Sequence, residues 1–436
     1  MSRIAVPLAQ PCPLTAFAPH AEAPFALLLD SAAETAGRGR YSYLCLRPRA
    51  VLTEGRGAFQ ALARLLPRQE PLPGLPPFQG GLAGFLGYDL GREVERLPEH
   101  QPDDLALPPL AMGLFDCIAA WDHAAGRAWV IGPEAVARAL AADLEAAPPL
   151  PPLDWSATAR FTAEQEADSY RAAIARVLAY IHAGDIFQAN LSQRFSAPLP
   201  AGLSAFMLYR RLRHLAPAPF AACLSLGPDT ALLSASPERF LAVDGAGGVE
   251  TRPIKGTRPR GADAAADAAL AADLAASAKD RAENLMIVDL MRNDLARVCR
   301  PGSVRVPELF TVERFSTVHH LVSAVSGQLA QGAGPLDLLR ACFPGGSITG
   351  APKVRAMEII AELEPRRRGP VFGSLAWIGG DGRMDSNIAI RTLTVTRGRV
   401  MARAGGGIVA DSDPQAEYEE TLVKARAMIA SLEGPS

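Results

Sequence analysis

Residues 404–421 read AGGGIVADSDPQAEYEET and join a predicted strand to the last predicted helix of the chain. Asp413 is a good N-cap and Pro414 suits the first helical position, so the helix is expected to begin there. The three glycines Gly405–Gly407 directly follow the strand and leave backbone N–H groups open to an anion. The segment therefore predicts a strand, a glycine loop and a helix that face an anionic ligand.

The last helix carries two carboxylates and a lysine on one face. Glu417, Glu420 and Lys424 follow one another at i, i+3 and i+7. The simplest interpretation is a solvated face with a Glu420–Lys424 ion pair, worth only ~0.3–0.5 kcal/mol. Beside a glycine loop, the same three side chains also suit an anionic ligand held together with a hard cation. Spacing alone leaves both interpretations open.

A second carboxylate pair, Asp280 and Glu283, lies one turn apart on a helix predicted over Asp280–Val298. The apolar run Leu285–Val288 begins two residues after Glu283, so Glu283 lies near the buried boundary. An unpaired carboxylate there is costly, and a metal or another cation would relieve that cost. The alternative is an acidic first turn that complements the helix dipole.

A glycine-rich loop at residues 344–353, PGGSITGAPK, leads into a helix predicted over Ala351–Leu363. Free N–H groups at a helix start attract carboxylate or phosphate. The loop is not a Walker A motif, because no GKS or GKT tail follows. Two glycine loops in one chain favour a substrate with two negative charges.

Lys255 lies in the stretch RPIKGTRPR at residues 252–260. A lysine in such a loop is usually solvated, but like charge from the neighbouring arginines would lower its pKa. The neutral, nucleophilic amine would then be more available. Glu238, in SPERF at residues 236–240, precedes Lys255 by a short predicted hairpin. The two side chains are therefore candidates for an acid and a nucleophile across one cleft.

The composition of the 436-residue chain is that of an ordinary globular protein, with 49% apolar and 21% charged residues. The net charge of −2 and the absence of a lysine or arginine block argue against nucleic acid as a partner. Six scattered cysteines without a CxxC pair favour a reduced, cytoplasmic protein over a disulfide scaffold or zinc site. No stretch approaches ~20 apolar residues, so no membrane span is expected.

Proline-rich residues Pro148–Pro152 predict a linker between a mostly β N-terminal third and a larger C-terminal part. Thr162 is the predicted N-cap of a helix that Gly184 ends. Further strands are predicted at Phe25–Leu29, Tyr41–Leu46, Met112–Trp121, Ala128–Ile131, Ala222–Leu226, Thr230–Ser234 and Phe240–Val243, and a hairpin joins Asn387–Val395 to Arg399–Ala404.

Several of these stretches together resemble the chorismate-binding enzyme family. The matching blocks are GDIFQANL at 184–191, SPERF at 236–240, RPIKGT at 252–257, AENLMIVDLMRNDL at 282–295, GGSITGAPKVRAME at 345–358 and AGGGIVADSDPQAEYEET at 404–421. The resemblance implies an α+β fold in which two large, mostly antiparallel β-sheets pack together with helices outside. Residues 1–147 would contribute to this β-sandwich, and residues 160–436 would form the chorismate-binding catalytic region.

The resemblance also implies roles for individual residues. Glu283 and Glu420 would hold Mg²⁺ against the ring carboxylate of chorismate, with Asp280 and Glu417 close to the metal. The substrate-binding residues it implies are Gly256, Thr257, Ser347, Arg391, Gly405, Gly406, Gly407 and Lys424. The catalytic residues it implies are Lys255 as nucleophile, Glu238 as general acid and His320 near the leaving and incoming groups. For His320, a packed core histidine is the alternative.

Three positions distinguish the reactions of the family. Members that add water to chorismate carry a general-base lysine where this chain has Gln188, and a glutamine cannot deprotonate water. Anthranilate synthases have alanine where this chain has Lys255, whereas the aminodeoxychorismate synthases resemble this chain there and at Ser347. Amination of chorismate at carbon 4 is therefore expected, with anthranilate synthesis as the alternative. A non-catalytic regulator that binds chorismate or tryptophan is a third interpretation.

Two further expectations concern partners. The chain has no Cys/His/Glu glutaminase segment, so ammonia is expected from a separate glutamine amidotransferase subunit. Ser31 lies where family members place a serine that contacts tryptophan, with Pro219 and Phe220 as the far wall. These three positions give the expectation of a tryptophan site, and Asp30, in place of the family's usual glutamate, is a departure from the pattern.

Overall fold

Two antiparallel sheets, packed face to face, form the centre of the molecule. A computed structural model describes residues 3–33, 38–99, 101–315 and 318–434. In that part of the chain every strand pairing is antiparallel. The strands, in chain order, are β1 (Arg3–Pro7), β2 (Leu27–Asp30), β3 (Tyr41–Cys45), β4 (Ala50–Leu52), β5 (Gly81–Leu86), β6 (Leu110–Phe115), β7 (Ile118–Asp122), β8 (Arg127–Pro133), β9 (Thr162–Ala163), β10 (Gln188–Pro198), β11 (Phe220–Gly227), β12 (Thr230–Ser236), β13 (Arg239–Val243), β14 (Gly248–Thr251), β15 (Ile254–Pro259), β16 (Arg305–Arg314), β17 (Val318–Gln328), β18 (Gly350–Ala351), β19 (Ser374–Gly379), β20 (Met384–Asn387), β21 (Thr392–Thr396) and β22 (Arg399–Ile408).

The first sheet has the strand order β1-β8-β7-β3-β2-β11-β12-β21-β22-β10-β18, with β9 also paired to β10. The second has the order β15-β17-β14-β13-β20-β19-β5-β6-β4, with β16 also paired to β17. Strands from residues 1–147 pair with later strands in both sheets, β2 with β11 and β5 with β19. The N-terminal segment is therefore woven into both layers.

Helices cover the outer faces of both sheets. Side chains of the helices at Glu134–Glu145, Ala205–Leu215 and Pro414–Glu433 pack on the first sheet, and those of the helices at Ala58–Leu65, Ala278–Ala296 and Pro335–Cys342 pack on the second. The helices are α1 (Pro13–Phe17), α2 (Ala58–Leu65), α3 (Glu134–Glu145), α4 (Ala167–His182), α5 (Ala205–Leu215), α6 (Ala264–Ala276), α7 (Ala278–Ala296), α8 (Pro335–Cys342), α9 (Lys353–Leu363) and α10 (Pro414–Glu433), with 3₁₀ turns at Ala18–His20, Tyr88–Glu93 and Gly346–Ile348. The predicted α+β architecture of two antiparallel sheets with helices outside is confirmed.

The core between the sheets is apolar and aromatic. Phe78 stacks on Trp377 with ring centroids 5.1 Å apart and meets Tyr43 edge-on at 5.5 Å. Leu224 of the first sheet and Phe85 of the second belong to the same buried cluster. Full burial of a large apolar side chain contributes roughly 1.5–3 kcal/mol, so this interface holds the two layers together.

The chain crosses from one sheet to the other at two places where a single strand was predicted. Met112–Trp121 is divided between β6 in the second sheet and β7 in the first. Asn387–Val395 is divided between β20 and β21, and residues 388–391 form the crossing. These predictions of continuous strands were wrong, because strands buried on both faces show no alternation that would reveal a break.

The helix predicted from Thr162 begins later than expected. Thr162 lies in β9, where its hydroxyl donates to the Ser196 carbonyl at 3.3 Å, and α4 starts at Ala167 with Glu166 as N-cap. Pairing with the edge of β10 outweighs the local capping pattern. Within the described residues, no helix is both long and apolar enough to cross a membrane.

Candidate active site

The predicted site residues meet in a cleft between α7 and α10, at one end of the first sheet. Here β10 begins at Gln188, β22 ends at Ile408, and Ala189 lies opposite Ile408. Lys255, on the edge strand β15 of the second sheet, reaches this end. Its Nζ lies 3.5 Å from the place where a Cβ on Gly407 would stand.

Lys255 donates a hydrogen bond from Nζ to the backbone carbonyl of Ser347 at 3.3 Å. Burial lowers the pKa of its amine, Glu283 opposes the shift, and Lys424 adds to it as a like charge. A lowered pKa increases the share of the neutral, nucleophilic amine near neutral pH. The predicted direction of the shift is confirmed.

The predicted cause of that shift was wrong. The arginines around Lys255 are paired with carboxylates: Arg252 with Glu308 and Glu313, and Arg258 with Asp273 and Asp280. A neutralised guanidinium exerts little like-charge repulsion on the amine. Burial, which sequence spacing cannot reveal, is the largest contribution.

Glu238 lies in the same cleft with only 5% of its surface exposed. Burial raises the pKa of its carboxyl to about 7, against the opposing effects of the Ser347 hydroxyl and Lys255. A carboxyl with a pKa near neutrality holds a proton that it can give to a leaving group. Ser347, 7% exposed, therefore contacts both candidate reactive side chains.

Three glutamates, Glu283 on α7 and Glu417 and Glu420 on α10, lie close enough to influence one another electrostatically. Burial raises the pKa of Glu283 and of Glu417, and neighbouring glutamates raise each further. Burial would also raise the pKa of Glu420, but its pair with Lys424, 2.7 Å between Nζ and Oε1, makes the net shift downward. Because these glutamates repel one another when ionised, an added cation would stabilise their charged forms.

Carboxylate oxygens from two helices are the ligands that a hard divalent cation prefers. Glu283 on α7 and Glu420 on α10 both act on the pKa of Lys255, which places all three at one site. In the described residues, no three His, Cys, Asp or Glu side chains already form a metal-ligand set. The carboxylates of Glu283 and Glu420 are therefore the chemical type of ligand that Mg²⁺ prefers, and a bound cation would have to draw them together.

Asp280 lies slightly apart from these glutamates. It accepts from Arg258 Nη2 at 3.2 Å, and its Cγ lies 2.9 Å from where a Cβ on Gly256 would stand. Gly256 has φ +72° at a bulge of β15, a conformation that favours glycine. Asp280 thus supports the backbone beside Lys255, and its proximity to a metal stays a prediction.

Thr257, His320 and Arg391 form a second group of predicted site residues that lie near one another. The Thr257 hydroxyl and His320 Nδ1 are 2.9 Å apart, and His320 Nε2 is buried without a hydrogen-bond partner in the described residues. Burial, followed by Arg391, lowers the pKa of His320 to about 3, so its imidazole is neutral at physiological pH.

Arg391 lies at the end of the crossing between the sheets, with φ +49°. Burial lowers the pKa of its guanidinium. Across residues 3–33, 38–99, 101–315 and 318–434, no carboxylate pairs with it. A partly desolvated cation without a counter-ion suits a ligand carboxylate.

The glycines Gly405–Gly407 lie inside β22, paired with Asn190–Ser192 of β10, so the predicted glycine loop was wrong. Because these glycines have no side chain, neighbouring side chains can lie close to their backbone. A Cβ on Gly406 would meet Glu417 at 2.9 Å, and one on Gly407 would meet Gln188 Nε2 at 2.4 Å. Gly405 accepts from Lys424 Nζ at 3.0 Å through its carbonyl.

Gln188, identified from the sequence as a position that distinguishes the reactions of the family, lies at this site, and Lys279 is a residue here that the sequence analysis missed. Gln188 is fully buried, and neither its amide nitrogen nor its oxygen has a hydrogen-bond partner in the described residues. Lys279, on α7, approaches Glu283 and Glu417. For Lys279 the signal was present, since Lys279 and Glu283 are four residues apart on one helix.

A second cavity, of about 370 Å³, lies between the sheets. Ser31, Pro219 and Phe220 line it together with aromatic side chains such as Trp377. Asp30 also reaches this wall, but its carboxylate accepts from Tyr209 at 2.8 Å and from Arg213 at 2.5 Å.

The model of the family described as chorismate binding enzyme matches residues 32–430 of the chain. A protein of Klebsiella aerogenes named aminodeoxychorismate synthase component 1 is 44% identical over 437 residues, which cover 96% of each chain. One of Thermus thermophilus named anthranilate synthase component 1 is 43% identical over 444 residues, 97% of this chain and 95% of that one. The crystal structure of anthranilate synthase component I from Streptococcus pneumoniae, 32% identical, matches with a TM-score of 0.81 over 91% of this chain and 93% of that chain.

Proposed function

This chain belongs to the chorismate-binding enzyme family, and from that premise we propose that it aminates chorismate at carbon 4. The products would be 4-amino-4-deoxychorismate, a precursor of 4-aminobenzoate and folate, and water. The observation that carries the proposal is the buried amine of Lys255 in one cleft with Glu238 and the glutamates of α7 and α10. Anthranilate synthesis is not expected to need an amine at this position.

Chorismate carries two carboxylates, and the cleft offers a cationic group for each. Arg391 would bind the enolpyruvyl carboxylate, since its guanidinium has no counter-ion among the described residues. Lys424 and the backbone of Gly405–Gly407 would lie beside the ring carboxylate. Gly256, Thr257 and Ser347 would line the ring between these two ends.

Glu283 and Glu420 would hold Mg²⁺, with Glu417 and Asp280 close by. When bound, Mg²⁺ would act as a Lewis acid on the ring carboxylate. Support for this assignment comes from the carboxylate donors on two helices and from the way neighbouring glutamates raise the pKa of Glu283 and Glu417.

In the first step, the neutral Lys255 amine forms a bond to carbon 2 of the ring. Both double bonds of the cyclohexadiene ring shift and the carbon 4–oxygen bond breaks. Glu238 gives its proton to the departing 4-hydroxyl, which leaves as water. This step needs a protonated Glu238 and a neutral Lys255. The raised pKa of Glu238 and the lowered pKa of Lys255 favour these two protonation states.

In the second step, ammonia forms a bond to carbon 4, both double bonds shift back and Lys255 leaves carbon 2 as the neutral amine. The ammonium formed at carbon 4 returns a proton to Glu238. The balance is chorismate plus ammonia to aminodeoxychorismate plus water, with Lys255 regenerated. His320 is neutral at the pH of the reaction, because burial lowers its pKa to about 3. It would orient the leaving and incoming groups through its unpartnered Nε2.

A separate glutamine amidotransferase subunit would supply the ammonia. Several relatives are named as component 1 of a synthase, which suits a chain that works with a second component. We propose the cytoplasm as their location, because all six cysteines are free thiols, as expected in a reducing compartment.

The test is incubation of the purified chain with chorismate, Mg²⁺ and ammonium at high pH, followed by separation of products. Aminodeoxychorismate is the expected product. Anthranilate with pyruvate would instead support the function printed for the Thermus thermophilus relative. No turnover would refute both and favour a regulator that binds chorismate.

The cavity lined by Ser31, Pro219 and Phe220 is proposed as a tryptophan site. Its size, about 370 Å³, and its aromatic wall suit one indole side chain. Calorimetric titration with tryptophan tests this, with Phe220→Ala as the variant expected to weaken binding. Equal affinity of the variant and the unaltered chain would contradict the assignment.

A further inference from the structure

Lys279 connects the two helices that carry the glutamates. It lies one turn before Glu283 on α7, and its Nζ is 4.0 Å from Glu283 Oε1. The same Nζ is 3.6 Å from Glu417 Oε1 on α10. One ammonium group therefore lies between carboxylates of both helices.

The other charges around this group are already engaged. Lys424 pairs with Glu420 at 2.7 Å, and Arg258 pairs with Asp280 at 3.2 Å. The buried Glu417 accepts a hydrogen bond from Ser412 at 2.6 Å, and further compensation of its charge comes first from Lys279 and then from Lys424.

Lys279 lies next to Glu283, one of the two carboxylates proposed to hold the divalent cation, and next to Glu417, proposed to lie close to it. A metal held by Glu283 must approach the carboxylates that now face Lys279, and two cations cannot share that space without strong repulsion. The ammonium of Lys279 attracts both carboxylates, as a metal ion would, and so it takes over part of the charge compensation that the metal would supply.

Lys279 is also able to leave. Its side chain is 50% exposed, whereas those of Glu283 and Glu417 are 14% and 4% exposed. A lysine has a flexible four-carbon stem and a well-hydrated ammonium, so it can swing into water at small cost. The glutamates remain in place while the lysine is exchanged.

We propose that Lys279 is a built-in competitor of the divalent cation: it neutralises Glu283 and Glu417 until the metal displaces it. This inference rests on the metal site of the proposed function. Its consequence is a weakened affinity for the metal in the substrate-free protein. A like charge about 4 Å away weakens cation binding by roughly tenfold even at high dielectric.

The experiment measures Mn²⁺ binding to the full, substrate-free chain from the free Mn²⁺ signal in electron paramagnetic resonance. Lys279→Met should bind Mn²⁺ about tenfold more tightly than the unaltered chain, and Lys279→Arg should not. Arg281→Met is the matched control, since it removes one positive charge from the same helix but its guanidinium lies over the Phe310 ring, 4.8 Å from the centroid. Its affinity should equal that of the unaltered chain.

This inference alone would be overturned if Lys279→Met bound Mn²⁺ no more tightly than the unaltered chain, while the unaltered chain bound Mn²⁺ and Glu283→Gln did not. If neither the unaltered chain nor Lys279→Met bound Mn²⁺ saturably, the metal site and this inference would both be overturned. Tighter binding by Arg281→Met as well would show a general charge effect and would also overturn the specific role of Lys279.

Discussion

Glu238→Gln should stabilise the folded protein at alkaline pH while it removes the proposed proton donor of the reaction. Burial raises the pKa of Glu238 from 4.5 to about 7 in the folded chain. Between these values the unfolded chain binds fewer protons than the folded chain, so stability falls as the pH rises. A shift of roughly 2.5 units, at about 1.4 kcal/mol per unit, corresponds to about 3 kcal/mol above pH 7.

An amide does not ionise, so the variant escapes this penalty. We expect its free energy of unfolding in urea to exceed that of the unaltered chain by about 3 kcal/mol at pH 8, and most of the difference to disappear at pH 5. Amination should fall by roughly 10²–10⁴-fold, the range for a lost general acid. Glu70→Gln, at an exposed position, should change stability by less than about 0.5 kcal/mol at either pH. A stability difference for Glu238→Gln that does not vary with pH would refute the reasoning.

Three other substitutions test the remaining parts of the cleft. Lys255→Ala should abolish amination at carbon 4 or divert it, which product analysis by mass spectrometry would reveal; full retention of the rate would exclude the covalent role. Arg391→Met should raise the KM for chorismate roughly 10–100-fold through loss of charge-assisted hydrogen bonds. Its stability in urea should not fall, since the guanidinium has no counter-ion in the described chain; an unchanged KM would place the carboxylate elsewhere. Gly407→Ala should lower kcat/KM at least about tenfold, because its Cβ would lie 2.4 Å from Gln188 Nε2; wild-type kinetics would show that Gln188 can move aside freely.

Sequence patterns succeeded where the signal is local. The Asp413 cap of α10 accepts from Ala416 N at 2.9 Å, as predicted, and the hairpin turn before Arg399 is present. Thr162 shows the limit of such reasoning, because its capping pattern competes with a strand partner that is distant in sequence. The path of Met112–Trp121 between two sheets was equally hidden, since both halves are buried.

At the candidate site, too, some features could be predicted from the sequence and others could not. Motif resemblance brought Lys255, Glu238 and Glu283 into one predicted cleft, and the structure has them together. The physical cause of the lowered Lys255 pKa was not accessible, because it depends on burial and on arginines that ion pairs neutralise. Lys279 escaped notice although its spacing to Glu283 was visible, since a charge four residues away normally indicates only a weak surface pair.

The interleaving of early and late strands affects how the chain can be made. Strand β5 finds its partner β19 only after about 290 further residues have been synthesised, with Phe85 opposite Leu375. Until the later strands have been synthesised, apolar strand edges of both sheets stay unpaired. Contacts between residues so far apart in sequence also form slowly. Nascent chains that stall before Thr392 would lack the strands β21 and β22 between β12 and β10. Such truncated products should depend on chaperones or be degraded.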